Sequence, residues 1–238
     1  MTGRINSFQS LGTVDGPGVR CVVFMQGCPL RCVCCHNPET WELNTGDEVE
    51  TDFLLQKILR FKNYFGQNGG VTVSGGEPLL QADFVTELFT ELKKHGIHTA
   101  LDTSGCIFNE KVEKLLSVTD LVLLDFKYSD NDGYLKNTGC PLKNVEEFLG
   151  ELEKRNIPTW LRRVIIPGLN DDVISAQKLK ETANSFRCVK KTELLPFRKL
   201  CIEKYKNLGI EFPLLNTPEP DENTMKHLNS IIDISIAF

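Results

Sequence analysis

The chain predicts an α/β fold assembled from repeated parallel βαβ units, and two observations lead there. Short β-branched or apolar runs recur along the 238 residues, each followed by a stretch with helical periodicity. Strand starts at residues 71, 99, 121, 159 and 192 are 28, 22, 38 and 33 residues apart, each gap wide enough for a crossover helix. With an earlier strand over 21–25 this makes six units, too few for a closed eight-stranded barrel. A partial, open barrel and a doubly wound sheet both fit.

In chain order, strands are expected over 21–25, 71–73, 99–101, 121–124, 159–166 and 192–195. A helix over 52–65 follows the first strand, with Thr51 or Asp52 as its cap. The second helix, over 82–94, places Phe84, Val85, Leu88, Phe89 and Leu92 on one face and ends at His95-Gly96. Further helices are expected over 110–117, 145–155 and 176–186, the middle one capped by Asn144 and stopped at Asn156-Ile157-Pro158. In either architecture, catalytic groups gather at the carboxyl ends of the strands. Those ends are followed by a cysteine-rich loop, Ser74-Gly75-Gly76-Glu77-Pro78, Asp102-Thr103-Ser104-Gly105, Asp125-Phe126-Lys127, Pro167-Gly168 and Pro196-Phe197-Arg198. Each has a plain structural reading as a cap, turn or surface charge. Their recurrence at one kind of position marks that rim as the active site.

Composition narrows the class. An apolar fraction of 41% supports a substantial core, and 25% charged residues is ordinary for a soluble protein. A net charge of −5 argues against binding nucleic acid by broad phosphate neutralisation. The pairs Lys93-Lys94, Arg162-Arg163 and Lys190-Lys191 read as solvated faces rather than a phosphate track. No apolar run approaches the roughly 20 residues of a membrane span, and no targeting segment is evident. The expectation is one cytoplasmic domain over 1–238, monomeric and free of membrane.

The most specific signal is Cys28-Pro29-Leu30-Arg31-Cys32-Val33-Cys34-Cys35-His36-Asn37, directly after the first strand. Cys28, Cys32 and Cys35 stand at C-x3-C-x2-C spacing, which wraps three thiolates around one metal centre and supplies no fourth protein ligand nearby. A four-iron–four-sulfur cluster normally takes four cysteines. Three suggest one iron held open, and an open position makes a metal site reactive. Structural zinc is the alternative, but it usually pairs two knuckles, and no second knuckle exists: Cys106 and Cys140 are 34 apart, Cys188 and Cys201 are 13 apart. Nine cysteines without a secretory signal do not read as a disulfide framework. Cys21, Cys34, Cys106, Cys140, Cys188 and Cys201 are expected as buried small hydrophobes.

The cysteine loop followed by Ser74-Gly75-Gly76-Glu77-Pro78 resembles the radical S-adenosylmethionine superfamily, whose core is a partial, open (β/α)6 barrel. Further segments resemble the glycyl-radical enzyme activases within it: Asp15-Gly16-Pro17-Gly18-Val19-Arg20, Gln26-Gly27-Cys28, Gly96-Ile97-His98-Thr99, Leu101-Asp102-Thr103, Leu124-Asp125-Phe126-Lys127 and Val164-Ile165-Ile166-Pro167-Gly168. The likeness runs from Gly3 to about residue 210, and only about 35 residues separate Cys35 from Val71, too few for the cysteine-bearing insert of many activases.

The resemblance implies an oxidoreductase. Cys28, Cys32 and Cys35 would hold a 4Fe-4S cluster whose open iron takes the amino and carboxylate groups of S-adenosylmethionine. One electron, from flavodoxin or ferredoxin, would cleave the sulfonium, and the resulting radical would take a hydrogen atom from a glycine of a partner glycyl-radical enzyme. Gly76 would allow close approach of the methionine amino group, Asp102 would meet that group, and Arg162 its carboxylate. Asp125 and Lys127 would hold the ribose hydroxyls, with Cys34, His36, Phe126 and Val164 completing the cofactor site. Asp102, Thr103 and Asp125 would share a monovalent cation, and Asp15 and Arg20 would contact the partner's peptide. Two departures stand out: Cys34 takes a position usually aromatic in the superfamily, and Arg198 one that is usually histidine in activases, so Arg198 is not assigned to the site. A radical enzyme acting on a small molecule, such as a deazapurine precursor, is the alternative. A zinc or electron-transfer module is another, but it gives no reason for Gly75-Gly76-Glu77 and Asp102 at strand ends.

Overall fold

A computed structural model describes residues 1–232. Its strands are β1 (Thr2–Gly12), β2 (Arg20–Met25), β3 (Asp47–Glu50), β4 (Gly70–Gly75), β5 (His98–Thr103), β6 (Leu121–Asp125), β7 (Thr159–Ile165) and β8 (Val189–Pro196). They form one open sheet in the order β3-β1-β2-β4-β5-β6-β7-β8. The helices are α1 (Thr51–Leu59), α2 (Ala82–Lys94), α3 (Glu110–Leu116), α4 (Asn131–Thr138), α5 (Leu142–Lys154), α6 (Val173–Ser185), α7 (Ile202–Leu208) and α8 (Glu222–Ile232). Two compact units are distinguished, one of Met1–Pro29 with Glu39–Leu123, the other of Leu30–Pro38 with Leu124–Phe238.

In the first unit β2, β4 and β5 run parallel, with Arg20, Gly70 and His98 aligned at their amino ends. These strands are buried almost without interruption, as expected where both faces of a parallel sheet are covered. Val22, Val23, Val71, Val73, Ala100 and Leu101 are buried, and α2 buries the five apolar residues its periodicity picked out. Gly96, with φ of +66°, ends that helix where expected. Two strands escaped the sequence reading. β3 is the edge strand and β1 lies between it and β2, both antiparallel, with mostly polar, partly exposed residues, so they lack an apolar run. The helix expected over 52–65 instead ends at Leu59, and a separate 3-10 turn covers Lys62–Tyr64. Between them Phe61 packs its ring against Phe8, centroids 6.2 Å apart. Thr51 is not a side-chain cap, because its hydroxyl donates to the Met1 carbonyl at 3.1 Å.

In the second unit β7 and β8 pair in parallel, and α5 buries Val145, Phe148, Leu149 and Leu152. α5 begins three residues earlier than 145, directly after Pro141, so Asn144 lies inside the helix and does not cap it. Asn156 adopts φ of +51° after α5, the left-handed stop that Asn tolerates. β7 alternates strictly, and this corrects the reading of Arg162-Arg163 as a solvated pair. Arg163 is 1% exposed and donates from Nε to the Phe126 carbonyl at 2.8 Å and from Nη1 to the Ser175 carbonyl at 2.9 Å. Helices α4, α7 and α8 also escaped the reading, α4 and α7 being short and α4 mostly polar.

Candidate functional site

In the first unit the chain leaves β2 at Met25 and β4 at Gly75, adjacent carboxyl ends in register. The two exits lock together: Gly76 N–H donates to Met25 O at 3.0 Å and Glu77 N–H to Gly27 O at 2.8 Å. A Cβ on Gly76 would lie 2.2 Å from the Gly27 carbonyl oxygen, so a side chain there is excluded by backbone packing alone. Gln26, 2% exposed, uses Nε2 to bind the carbonyls of Glu39 and Glu42 and the Thr45 hydroxyl, at 3.1, 2.7 and 2.8 Å. Cys28 follows, its N–H donating to Trp41 O at 3.3 Å.

Glu77 is 1% exposed, and both its oxygens are occupied. Oε1 accepts from Leu79 N–H at 3.1 Å and Thr103 Oγ1 at 2.6 Å; Oε2 accepts from Ser104 N–H at 3.0 Å and from the Ser104 hydroxyl. Burial nonetheless pushes the carboxyl's pKa up, against the pull of those four donors. Glu77 thus ties the turn after β4 to the turn after β5. At the same rim Ser74 Oγ donates to Asp102 Oδ2 at 2.8 Å, which fixes one oxygen of that carboxylate.

In the second unit Asp125 ends β6, and Lys127 folds back to it, Nζ to Oδ2 2.6 Å. Burial opposes charge on Asp125, but Lys127 and Arg162 more than offset this and hold its carboxyl below the usual range. The Lys127 side chain is half-buried, 16% exposed, and the Asp125 charge outweighs the desolvation and raises its pKa well above ordinary lysine. One cavity is lined by Cys34, Asp125, Lys127, Tyr128, Arg162, Val164, Ile166 and Asn170. Five of the expected cofactor residues therefore meet in it: Cys34, Asp125, Lys127, Arg162 and Val164. Cys34 is not among the buried cysteines as a residue, though the thiol is desolvated enough that its pKa is pushed up to about 11. Phe126 and His36 stand elsewhere. The Phe126 ring is 2% exposed, edge-on to Tyr134 at 6.0 Å and beneath Arg163, and its backbone is engaged as well, the N–H donating to Arg162 O at 2.8 Å and the carbonyl accepting from Arg163 Nε. His36 Nε2 donates to the Arg198 carbonyl at 2.8 Å and acts as a tether.

The segment 30–38 of the second unit is ordered by backbone bonds. Arg31 and Val33 N–H donate to the carbonyls of Thr138 and Asn137 at the end of α4, at 3.1 and 3.0 Å. Cys35 N–H closes a turn onto Cys32 O at 3.0 Å. All nine cysteines are thiols; Cys28, Cys32, Cys34 and Cys35 are half-buried and the other five buried. Among the described residues no three His, Cys, Asp or Glu side chains are arranged to hold a metal ion. The fit of Cys28, Cys32 and Cys35 to an iron–sulfur cluster rests on their soft sulfur donors, partial exposure and spacing.

Sequence reasoning missed Tyr128 and Asn170, which line the cavity. Asn170 Nδ2 donates to Lys127 O at 3.1 Å and Val164 O at 2.9 Å, joining two strand exits. Adjacency to Lys127 was the available signal for Tyr128; nothing local marks Asn170. One expectation is overturned. Arg20 is fully buried, with Nε donating to Thr72 Oγ1 at 2.7 Å, Nη1 to Pro17 O at 3.0 Å and Nη2 to Val71 O at 2.8 Å. It cannot reach a partner's peptide. Arg20 starts β2, so the loop over 15–20 lies at the amino ends of β2, β4 and β5, opposite Gly76 and Asp102. Arg198 points away to Glu219 at 2.6 Å and is half exposed.

Comparison with known proteins adds three findings. The family model described as the Radical SAM superfamily matches residues 22–178. Over 234 residues the chain is 47% identical to "Pyruvate formate-lyase-activating enzyme" of Staphylococcus epidermidis and 46% identical to that of Staphylococcus aureus, covering 95% of this chain and 93% of each relative. Among solved structures, a domain of a pyruvate-formate lyase-activating enzyme from Bacteroides vulgatus aligns with a TM-score of 0.58 at 24% identity, over 69% of this chain and 93% of that one. SuiB of Streptococcus suis, solved with a precursor peptide bound, aligns with a TM-score of 0.66 at 12% identity, over 89% of this chain and 44% of that one. These two likenesses show a shared fold.

Proposed function

The chain belongs to the Radical SAM superfamily, and from that premise we propose the activity that its site chemistry supports best. The enzyme is a radical S-adenosylmethionine oxidoreductase that activates a glycyl-radical enzyme, and that partner is pyruvate formate-lyase. The observation carrying this reading is the 47% identity held over 95% of the chain, with the three-cysteine loop and the Ser74–Glu77 turn inside it. When bound, the 4Fe-4S cluster supplies the electron that cleaves S-adenosylmethionine, so that a hydrogen atom can be taken from the partner's glycine.

The chain's own residues have the following roles. Cys28, Cys32 and Cys35 would hold the cluster as thiolates. Gly76 presents its backbone to the methionine amino group, and Asp102, one oxygen already fixed by Ser74, accepts a charged hydrogen bond from it. Arg162 offers a planar pair of donors to the carboxylate. Asp125 and Lys127, paired at 2.6 Å, bind the ribose hydroxyls: a locked carboxylate accepts and a locked ammonium donates. Val164 and the Cys34 thiol, in the same cavity, give the adenosine end an apolar wall. Phe126 contributes by bracing the strand ends, its N–H on the Arg162 carbonyl and its carbonyl on Arg163 Nε, and His36 by holding the loop.

The finer partners belong to the same proposal. A flavodoxin or ferredoxin supplies the electron, and the activase works as a cytoplasmic monomer; no helix among the described residues is long and apolar enough to cross a membrane. Action on a small molecule is not favoured. The test is anaerobic reconstitution followed by three assays: iron and sulfide content, S-adenosylmethionine cleavage under dithionite, and the glycyl-radical doublet on pyruvate formate-lyase by electron paramagnetic resonance. Cleavage without any doublet on that partner would refute the proposed substrate.

A further inference from the structure

Three side-chain bonds join the end of the cysteine loop to the segment around α7, all within the second unit. The Tyr205 phenol donates to the Cys35 carbonyl at 3.2 Å. Lys204 Nζ donates to Asn37 Oδ1 at 2.8 Å, and His36 Nε2 to the Arg198 carbonyl at 2.8 Å. Tyr205 is itself held. It is 1% exposed, its ring lies 4.8 Å from Phe212, and Phe212 stacks at 6.1 Å on Phe197. Phe197 is anchored to the sheet, its N–H donating to Ile165 O at 3.0 Å. A rigid aromatic stack therefore runs from the end of β7 to the peptide that follows the third motif cysteine.

From this we infer that Tyr205 is a positioning residue for the cluster: its phenol fixes the Cys35–His36 peptide, and so the direction of the Cys35 thiolate, with Lys204 holding the next turn. The inference rests on the proposed cluster and goes beyond it, because it assigns the holding of the loop to α7. The ring supplies packing and only the hydroxyl supplies the bond, so Tyr205→Phe separates the two roles. Outer groups that orient a metal ligand govern how well the metal is kept and what electronic environment it sees.

The experiment compares the reconstituted holoenzyme with Tyr205→Phe and with Lys204→Met, the second being a change on a short helix that does not disturb the aromatic stack. Iron release to a chelator in excess is timed, and the reduced cluster is recorded by electron paramagnetic resonance with and without S-adenosylmethionine. Thermal unfolding is followed alongside. The expected result in Tyr205→Phe is a full complement of iron, a Tm lowered by no more than about 2–4 °C, iron release faster by roughly fivefold, the effect of one neutral hydrogen bond, and altered g-values. Lys204→Met is expected to release iron faster by a smaller factor. If both variants match the parent in release rate and spectrum, the positioning role is overturned while the function stands. If the parent takes up no cluster, the function itself is overturned, and this inference with it.

Discussion

Removing the Glu77 carboxylate tests whether the Ser74–Glu77 turn is held from within the protein. Four donors converge on this side chain: the N–H groups of Leu79 and Ser104 and the hydroxyls of Thr103 and Ser104. In Glu77→Ala all four lose their acceptor in a site 1% exposed, and a void replaces the side chain. Thr103 and Ser104 keep a secondary use, their hydroxyls accepting from the N–H groups of Gly105 and Cys106 at 3.1 and 3.3 Å, which limits the damage. Leaving a buried donor without its acceptor costs about 1–3 kcal/mol, so Glu77→Ala should lose at least that much. Glu77→Gln keeps one acceptor oxygen and is expected to cost about 1–2 kcal/mol. Because burial raises this carboxyl's folded pKa, the folded state holds its proton to higher pH than the unfolded chain. The group's contribution is therefore fully present below the unfolded pKa, about 4.3, and declines as pH rises from there through the folded value. Glu77→Gln should abolish that part of the pH slope. The assay is urea unfolding at several pH values, reading the midpoint at constant m. A loss below about 1 kcal/mol for Glu77→Ala would refute the argument, since it would mean the four donors find water or other partners.

Alanine at Cys28, Cys32 or Cys35 should abolish cluster incorporation, whereas serine at buried Cys188 should leave iron content unchanged; iron and sulfide analysis decides. Asp125→Asn leaves the half-buried Lys127 ammonium without its counter-charge, so about 1–3 kcal/mol of stability should be lost and S-adenosylmethionine binding should weaken, read by urea unfolding and titration calorimetry. For Asp120, burial works against ionisation, but bonds from Lys93 and from Thr99 outweigh it and hold the carboxyl below its usual range. Its contribution is present above the unfolded pKa of about 3.9 and disappears as pH falls through the folded value, so Asp120→Asn should flatten the acid limb of the stability profile.

The parallel core was readable because each of its strands is an apolar run and each crossover helix keeps a clean 3.6-residue period, as Phe84 to Leu92 shows. The cysteine loop and the strand-end residues Gly76, Asp102, Asp125 and Lys127 were readable for a related reason. Open α/β sheets place chemistry at carboxyl ends, so locating the strand locates the residue. Elements without a strong local pattern, such as polar β1 and the eight-residue α4, went unseen because their order comes from pairing with distant chain. Arg20 shows the limit most directly. In sequence it is a cation in a glycine-rich turn, read as a partner contact. Folding places it at the amino ends of three strands, where Thr72, Val71 and His98, 51 to 78 residues away in sequence, take up its guanidinium. Gly76 is similar: its lack of a side chain is visible in sequence, but the reason, a carbonyl of Gly27 at 2.2 Å from where a Cβ would be, exists only once β2 and β4 lie side by side. Tyr205 is 170 residues from the cysteine whose carbonyl it holds. Residue type and spacing determine which donors and acceptors the chain carries; which of them are consumed by the fold, and which remain to meet a cofactor, depends on contacts between segments that have no local signature.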